Sequence, residues 1–359
     1  MDLAVSQRRE LTETRLSLAC SIGIMAYNEE ANIGRLLRAL LDQQTTTCVI
    51  DEIVVVASGC TDNTEDVVRE FCAREPRIKL VVQPSRLGKA SAVNLFLHHA
   101  RCDILVSASA DTLPEPATIQ HLIEPFVDPE VGMTGGHPVP ANDPRTFMGF
   151  AAHLLWELHH QIALQHPKLG ELTAFRRVFH RIPFNSAVDE ANMEPLISGQ
   201  GYQLRYVPEA IVRNRGPATV GDFIKQRRRI YAGHLRVRRQ QGYAVSTLSG
   251  PRILSTLLRC WHWDWRYFVW APAVVCLEVY GRLLGLIDCR VTKRDHAIWE
   301  IALTTKGVID VRRPLEDPAL PAEPPVRLAE NAPDQLDPES LSTLQLALPD
   351  LQHLDEAGG

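Results

Sequence analysis

At 359 residues, 45% of them hydrophobic, the chain can bury a large core and has room for one catalytic domain with appendages. Its net charge of −5 is unevenly placed: residues 314–359 hold ten acidic residues and eight prolines against Arg327 alone, leaving an excess of four positive charges in 1–313. That excess suits phosphates or an anionic membrane surface and is too small to argue for a nucleic acid partner.

The N-terminal stretch MDLAVSQRRELTETR has no apolar run and reads as an extension, 1–18, without a secretory signal. The eight cysteines, scattered from Cys20 to Cys289 with no CxxC pair, fit reduced thiols better than a disulfide framework. From residue 20 onward, short apolar runs alternate with amphipathic helical patterns. CSIGIM (20–25) precedes a helix with Ile33, Leu36, Leu37, Leu40 and Leu41 on one face. IDEIVVVA (50–57) precedes a helix carrying Val67, Val68, Phe71 and Cys72, with Asp62 and Glu65 spaced as a capping box at its start. IKLVVQ (78–83) leads to a helix with Val93, Leu97 and Ala100, and DILVSA (103–108) follows. This alternation predicts an α/β fold, a mostly parallel open sheet with helices on both faces. Ligands in such sheets bind beyond the carboxyl ends of the strands. Tyr27-Asn28-Glu29, Ser58 to Asp62, Arg86 to Lys89 and Ser109 to Asp111 all fall at those ends.

Beyond Gly135 the pattern turns more helical. Residues 151–165 place Leu154, Leu155, Leu158 and Ile162 on one side, with His159 and His160 read as packing or surface residues. GYQLRYVPEAIV (201–212) reads as a strand with its exit loop, and 222–239 is strongly basic. Arg227, Arg228, Arg236, Arg238 and Arg239 are expected on a solvated or lipid-facing surface. Residues 267–287 are long enough to span a bilayer, at about 20 residues. Glu278 and Arg282 make a span expensive, so together with Trp261, Trp263 and Trp265 the segment reads better as a helix lying in the membrane interface. The Pro-rich acidic end, 311–359, is expected to be disordered and non-catalytic.

Five motifs in order, AYNEE (26–30), SGCTDNT (58–64), GKASAVN (88–94), SAD (109–111) and an acidic pair before Gly201-Tyr202 followed by QRRRI (226–230), resemble the family 2 glycosyltransferases with their nucleotide-sugar-binding GT-A fold. The resemblance runs from about Ser21 to Gly233, and more loosely through WEIALTTK (299–306) to Lys306. It implies a GT-A domain at 19–245, an apolar helical, membrane-proximal region at 246–310, and an inverting transfer with the donor diphosphate held by Mg²⁺ or Mn²⁺. The donor is a UDP- or GDP-sugar. A glycan or lipid-linked acceptor and single-step transfer at the inner face of the membrane are expected. Asp111 is the expected metal ligand, although Ser109 stands where the family's Asp-x-Asp motif has its first acid; Asp111 as the cap of a helix near Pro114-Glu115-Pro116 is the alternative. Tyr27, Asn28, Glu29, Ser58, Asp62, Arg86, Lys89, Ser109, Gln226 and Arg229 are the expected donor contacts. Asn28, Glu29 and Asp62 have helix-start roles as their alternatives. Glu190, eleven residues before Gly201, is expected as the base, with Asp189 supporting it and exchanging roles if the register slips by one. A degenerate, non-catalytic scaffold is the rival that Ser109 favours. A sugar nucleotidylyltransferase would need a Gly-rich loop where AYNEE stands.

Overall fold

The computed structural model describes residues 17–184 and 188–292. The acidic tail, WEIALTTK and nearly all of the N-terminal extension lie outside the described residues. Eight strands form one sheet: β1 (Leu18–Ala26), β2 (Cys48–Ser58), β3 (Ile78–Gln83), β4 (Ile104–Ser109), β5 (Leu113–Pro114), β6 (Val131–Pro140), β7 (Leu172–Arg176) and β8 (Gln203–Asn214). The strands lie in the order β3-β2-β1-β4-β7-β6-β8-β5. Between them run α1 (Ile33–Leu41), α2 (Thr64–Cys72), α3 (Lys89–His99), α4 (Thr118–Ile123), α5 (Phe147–Gln165) and α6 (Asp189–Ser198). Three helices follow the sheet: α7 (Val220–Gln241), α8 (Gly250–Arg259) and α9 (Trp265–Ile287).

The expected alternation is present, and the four strands from β3 to β4 pair in parallel. Beyond β4 the sheet departs from the mostly parallel reading. β7 runs antiparallel to both β4 and β6, and β5 pairs antiparallel to β8, while β6 and β8 are parallel. The strands at the sheet's centre are apolar on both faces, as doubly covered strands must be. Ile22, Ile24, Ile53 and Val55 pack on the side of α1 and α2. Met25, Val54, Val56 and Leu105 pack with Phe96 of α3 on the other.

Two local expectations change. Asp62 accepts from the Thr64 N–H at 3.0 Å, but Glu65 does not reach back; it pairs with Arg69 at 2.7 Å instead. So the capping box does not form: the helix begins at Thr64 after Asn63, and Asp62 bonds its first N–H from one residue further back. Arg227 and Arg228 are not on a solvated face, because α9 packs against α7 at that point. Arg228 forms a two-pronged pair with fully buried Asp288, both contacts at 2.5 Å, and Arg227 lies 3.7 Å from Glu278. Arg238 and Arg239 are exposed, as expected.

Gly23 in β1 is required by packing: a Cβ there would lie 2.4 Å from the ring of fully buried Phe96. Overpacking a filled core costs about 1–3 kcal/mol. Gly23→Ala should therefore lower stability by that amount in urea denaturation, and Phe96→Leu in the same chain should recover part of the loss. Additive losses would show that the two residues do not share this contact.

Candidate active site

The C-terminal ends of β1, β2 and β4 open into a cleft of about 550 Å³ that continues under α5, α7 and α9. Tyr27, Glu29, Ser58, Arg86, Lys89, Ser109, Asp111, Asp189, Glu190, Gln226 and Arg229 all line it. Residues more than two hundred positions apart are thus brought to one surface. Among the expected contacts, Asn28 and Asp62 are not in the lining. Asn28 adopts a left-handed backbone (φ 51°) and exchanges two hydrogen bonds with Thr61, through its Nδ2 at 3.0 Å and its Oδ1 at 2.8 Å. Asp62 accepts from the Glu30 N–H at 3.1 Å as well as from the Thr64 N–H at the start of α2. Both residues fasten the first loop to the second. Neither Asn28 nor Asp111 caps a helix: α1 starts at Ile33 after Asn32, and α4 starts at Thr118.

At the donor end, the Arg86 guanidinium lies over the Tyr27 ring, 4.2 Å from its centre. Gly59 (φ 63°) lets this happen, since a Cβ there would lie 2.5 Å from the Arg86 backbone nitrogen. Ser58 donates to Gln83 at 2.6 Å, and Gln83 in turn donates to Ser91 at 2.8 Å, so its hydroxyl is held at the cleft wall. The Glu29 N–H donates to Thr64 at 2.8 Å, and its carboxylate accepts from Asn32 at 3.1 Å.

The centre of the site is a buried ion cluster. Lys89, the first residue of α3, places Nζ 3.0 Å from Glu190 Oε1, 3.6 Å from Asp189 Oδ2 and 3.3 Å from Ser109 Oγ. Burial alone would favour a neutral amine, but the charges of Glu190 and Asp189 outweigh it and hold the ammonium above its ordinary range. Burial pushes Asp189 up to about 6 against the pull of Lys89, with neighbouring Glu190 adding to the rise. Burial opposes ionisation of Glu190 too, yet Lys89 and a backbone N–H at the start of α6 hold it below the usual carboxylate range. Burial lowers Arg229, while Asp189 and Glu190 support its charge. Glu190 keeps 18% of its side chain exposed; Asp189 keeps 3%, and its Oδ1 is buried with no hydrogen-bond partner.

Sequence reasoning missed Glu171 and Asn214, both in the lining. Glu171 precedes β7 with φ 61° and is pushed up to about 7 by burial and by the charges of Asp111 and Glu190. Asn214 ends β8, whose exit loop the apolar pattern of 201–212 located without marking the residue. His159 is buried and uncharged, a packing residue as expected, and His160 stacks on His137 at 4.1 Å and meets Tyr206 at 2.9 Å.

This sheet, with its cleft at the strand ends, is that of a GT-A domain. In three dimensions it is similar to a mannosyltransferase of Pyrobaculum calidifontis solved with GDP-Man and Mn²⁺, with a TM-score of 0.55 and 20% identity over 81% of this chain and 95% of that one. The profile of the family described as Glycosyl transferase family 2 matches residues 21–190, and the chain carries a family 2 glycosyltransferase domain. Relatives include the glycosyltransferase AglD of Haloferax volcanii, 26% identical over 33% of this chain and 19% of the relative. A dolichyl-phosphate beta-glucosyltransferase of Trichomonas vaginalis, ALG5C, is 32% identical over 24% of this chain and 28% of its own. A poly-beta-1,6-N-acetyl-D-glucosamine synthase of Staphylococcus aureus is 25% identical over 61% of this chain and 53% of its own. The chain thus spans between a fifth and about half of the length of these relatives.

Glu194 of α6 supports the site from behind. Its Oε1 accepts from the Leu169 N–H at 2.8 Å, the Tyr243 hydroxyl meets the carboxylate, and burial outweighs both in pushing it from 4.5 up to about 7. The stability this group contributes is fully present below pH 4.5 and is lost as pH rises through about 7. Glu194→Gln should remove that slope. Relative to the parent chain, the variant should gain on the order of 3 kcal/mol between pH 4.5 and pH 8 in chemical denaturation. An unchanged difference between the two pH values would show that Glu194 ionises freely in the folded state.

Proposed function

We propose that this protein transfers a sugar, with inversion and one step at a time, from a UDP- or GDP-sugar to an acceptor hydroxyl on a lipid-linked or envelope glycan. The observation that carries this reading is the meeting of Lys89, Asp111, Glu190 and Arg229 in one cleft with the nucleoside-side residues Tyr27 and Ser58. The relatives named for dolichyl-phosphate glucosyl transfer and polysaccharide synthesis support it.

A nucleotide-sugar leaves as a diphosphate, so the site must stabilise growing negative charge. Arg86, Lys89 and Arg229 supply fixed positive charge along the cleft. Asp111 would hold Mg²⁺ or Mn²⁺, which when bound would offset the diphosphate's charge. Asp111→Asn should abolish both transfer and the Mn²⁺-dependent part of UDP or GDP affinity, measured by calorimetry; retained activity would remove Asp111 from the metal site.

Glu190 is the base. Its carboxylate stays ionised and reaches the open cleft, whereas the oxygens of Asp189 are sealed behind it. As the acceptor oxygen bonds to the sugar's anomeric carbon, the bond from that carbon to the diphosphate breaks and the hydroxyl proton passes to Glu190 Oε. Asp189 and Lys89 hold that carboxylate in place. General-base loss typically costs about 10²–10⁴-fold, so Glu190→Gln should lower kcat by that range with donor affinity nearly intact. Asp189→Asn should cost less. If Asp189→Asn is the dead variant, the roles exchange; near-normal kcat in both would place the base elsewhere.

A place at the cytoplasmic face of a membrane belongs to the same proposal, and what supports membrane association is α9. Glu278 and Arg282 of α9 line the cleft, bonded to each other at 2.8 Å, while the outer side of the same helix exposes Phe268, Val275, Val279, Tyr280, Leu283 and Ile287. α9 is the one helix among the described residues long and apolar enough to cross a membrane. With its charges turned inward and Trp263 90% exposed just before it, α9 lying in the interface is the arrangement we favour. The full chain should co-sediment with anionic liposomes, and the Trp263→Gln, Trp265→Gln, Phe268→Gln variant should stay in the supernatant. Equal partition of both proteins would dissociate this face from the membrane.

Ser109, in place of an acid, favours a second reading, a degenerate scaffold that binds nucleotide without transfer. Donor hydrolysis by the purified chain separates the two.

A further inference from the structure

We propose that Glu171 supplies the carboxylate that the strand-end motif lacks at Ser109, so that Asp111, Glu171 and the Oδ1 oxygen of Asn214 together hold a divalent cation. The proposal rests on the metal-dependent donor reading above and assigns the site's missing oxygens.

The first argument is register. β4 and β7 pair antiparallel with Ser107 across from Thr173 and Ala108 across from Leu172. The ladder ends there: Ser109 closes β4 one residue beyond Ala108, and Glu171 immediately precedes Leu172, so both leave the paired strands at the same end of the sheet. An acid moved from one strand to its neighbour at this point serves the same volume of space. Asp111 and Glu171 line the same cleft.

The second argument is an independent polar atom. Asn214 is 6% exposed and lines the same cleft. Its side chain hydrogen-bonds the Glu171 carboxylate, which takes its amide donor, and its Oδ1 is left buried with no hydrogen-bond partner. A buried carbonyl oxygen without a donor costs about 1–3 kcal/mol unless something electropositive fills the gap. Two carboxylates and one amide oxygen are an all-oxygen set, the chemistry that Mg²⁺ and Mn²⁺ select. Among the described residues no three His, Cys, Asp or Glu side chains are grouped to hold a metal, so the amide oxygen is what completes the set. Water and the donor diphosphate would fill the other positions, as is usual for Mg²⁺.

The backbone at Glu171 agrees with a selected residue. The Leu172 N–H donates to the Gly170 carbonyl at 2.7 Å, closing a three-residue turn with Glu171 at its left-handed centre. Gly or Asn would fill that position more easily, since a residue with a Cβ pays about 1–2 kcal/mol for a left-handed backbone.

Mn²⁺ titration followed by electron paramagnetic resonance, with protein alone and with UDP or GDP, tests the assignment without requiring turnover. The parent chain should bind Mn²⁺, and Asp111→Asn and Glu171→Gln should each weaken binding by more than about tenfold. Thermal unfolding should show Glu171→Gln folded and no less stable than the parent. Ser109→Asp added to Glu171→Gln should return Mn²⁺ affinity towards that of the parent, because the acid is restored on the neighbouring strand. If Glu171→Gln binds Mn²⁺ like the parent while Asp111→Asn does not, this assignment alone falls. If the double variant is not rescued, the cross-strand argument falls. If the parent chain binds no Mn²⁺ under any of these conditions, the metal-dependent reading of the whole site falls with it.

Discussion

The buried Lys89 ammonium is the contact on which the site depends. It joins α3, in the parallel half of the sheet, to the first turn of α6, about a hundred residues later, and it touches the end of β4 on the way. Removing such a charge from water is costly, and the cost is recovered only where several acceptors surround it. Here two carboxylates and a hydroxyl do so. The same ammonium decides how the acidic pair divides its labour: the carboxylate nearer to it stays ionised, and the one behind rises towards neutrality. Without Lys89, Asp189, Glu190 and Glu171 would face one another in a low-dielectric cleft, and all three would bind protons more readily.

Much of this was legible in the sequence, for a simple reason. Hydrophobic period marks strands and helices, and the parallel α/β arrangement then forces every strand-end loop to one edge. Tyr27, Ser58, Arg86, Lys89, Ser109 and Asp111 were found by that logic alone. Its failures are of one kind. Asn28 and Asp62 sit in the right loops but bond the backbones of Thr61 and Glu30, each in the other's loop, rather than facing the cleft, and no periodicity reports where a loop side chain turns. Glu171 comes to the end of the sheet where β4 stops only because β7 runs antiparallel to β4, a pairing the alternation rule does not predict. The six arginines of 227–239 look alike in the sequence, yet a partner more than fifty residues away separates Arg228 from Arg238.

The C-terminal helices show how averaging over a helix can mislead. Ala271, Val274, Glu278, Gly281, Gly285 and Asp288 follow one another at steps of three and four, and so form a single seam. That seam faces α7. A Cβ on Gly281 would lie 2.7 Å from the Cβ of Arg227, and one on Gly285 would lie 2.6 Å from the Arg228 carbonyl, so the two helices approach as closely as backbones allow. Glu278 and Asp288 then sit where the arginines of α7 can reach them. The charges that appeared to make an apolar segment expensive in lipid are therefore spent inside the protein, on holding α9 to the helix that carries Gln226 and Arg229. What the outer face offers to its surroundings is apolar without interruption from Val275 to Ile287 at the exposed positions. A helix so divided grips Arg227 and Arg228, the residues immediately before Arg229, with its inner seam while its outer face stays exposed.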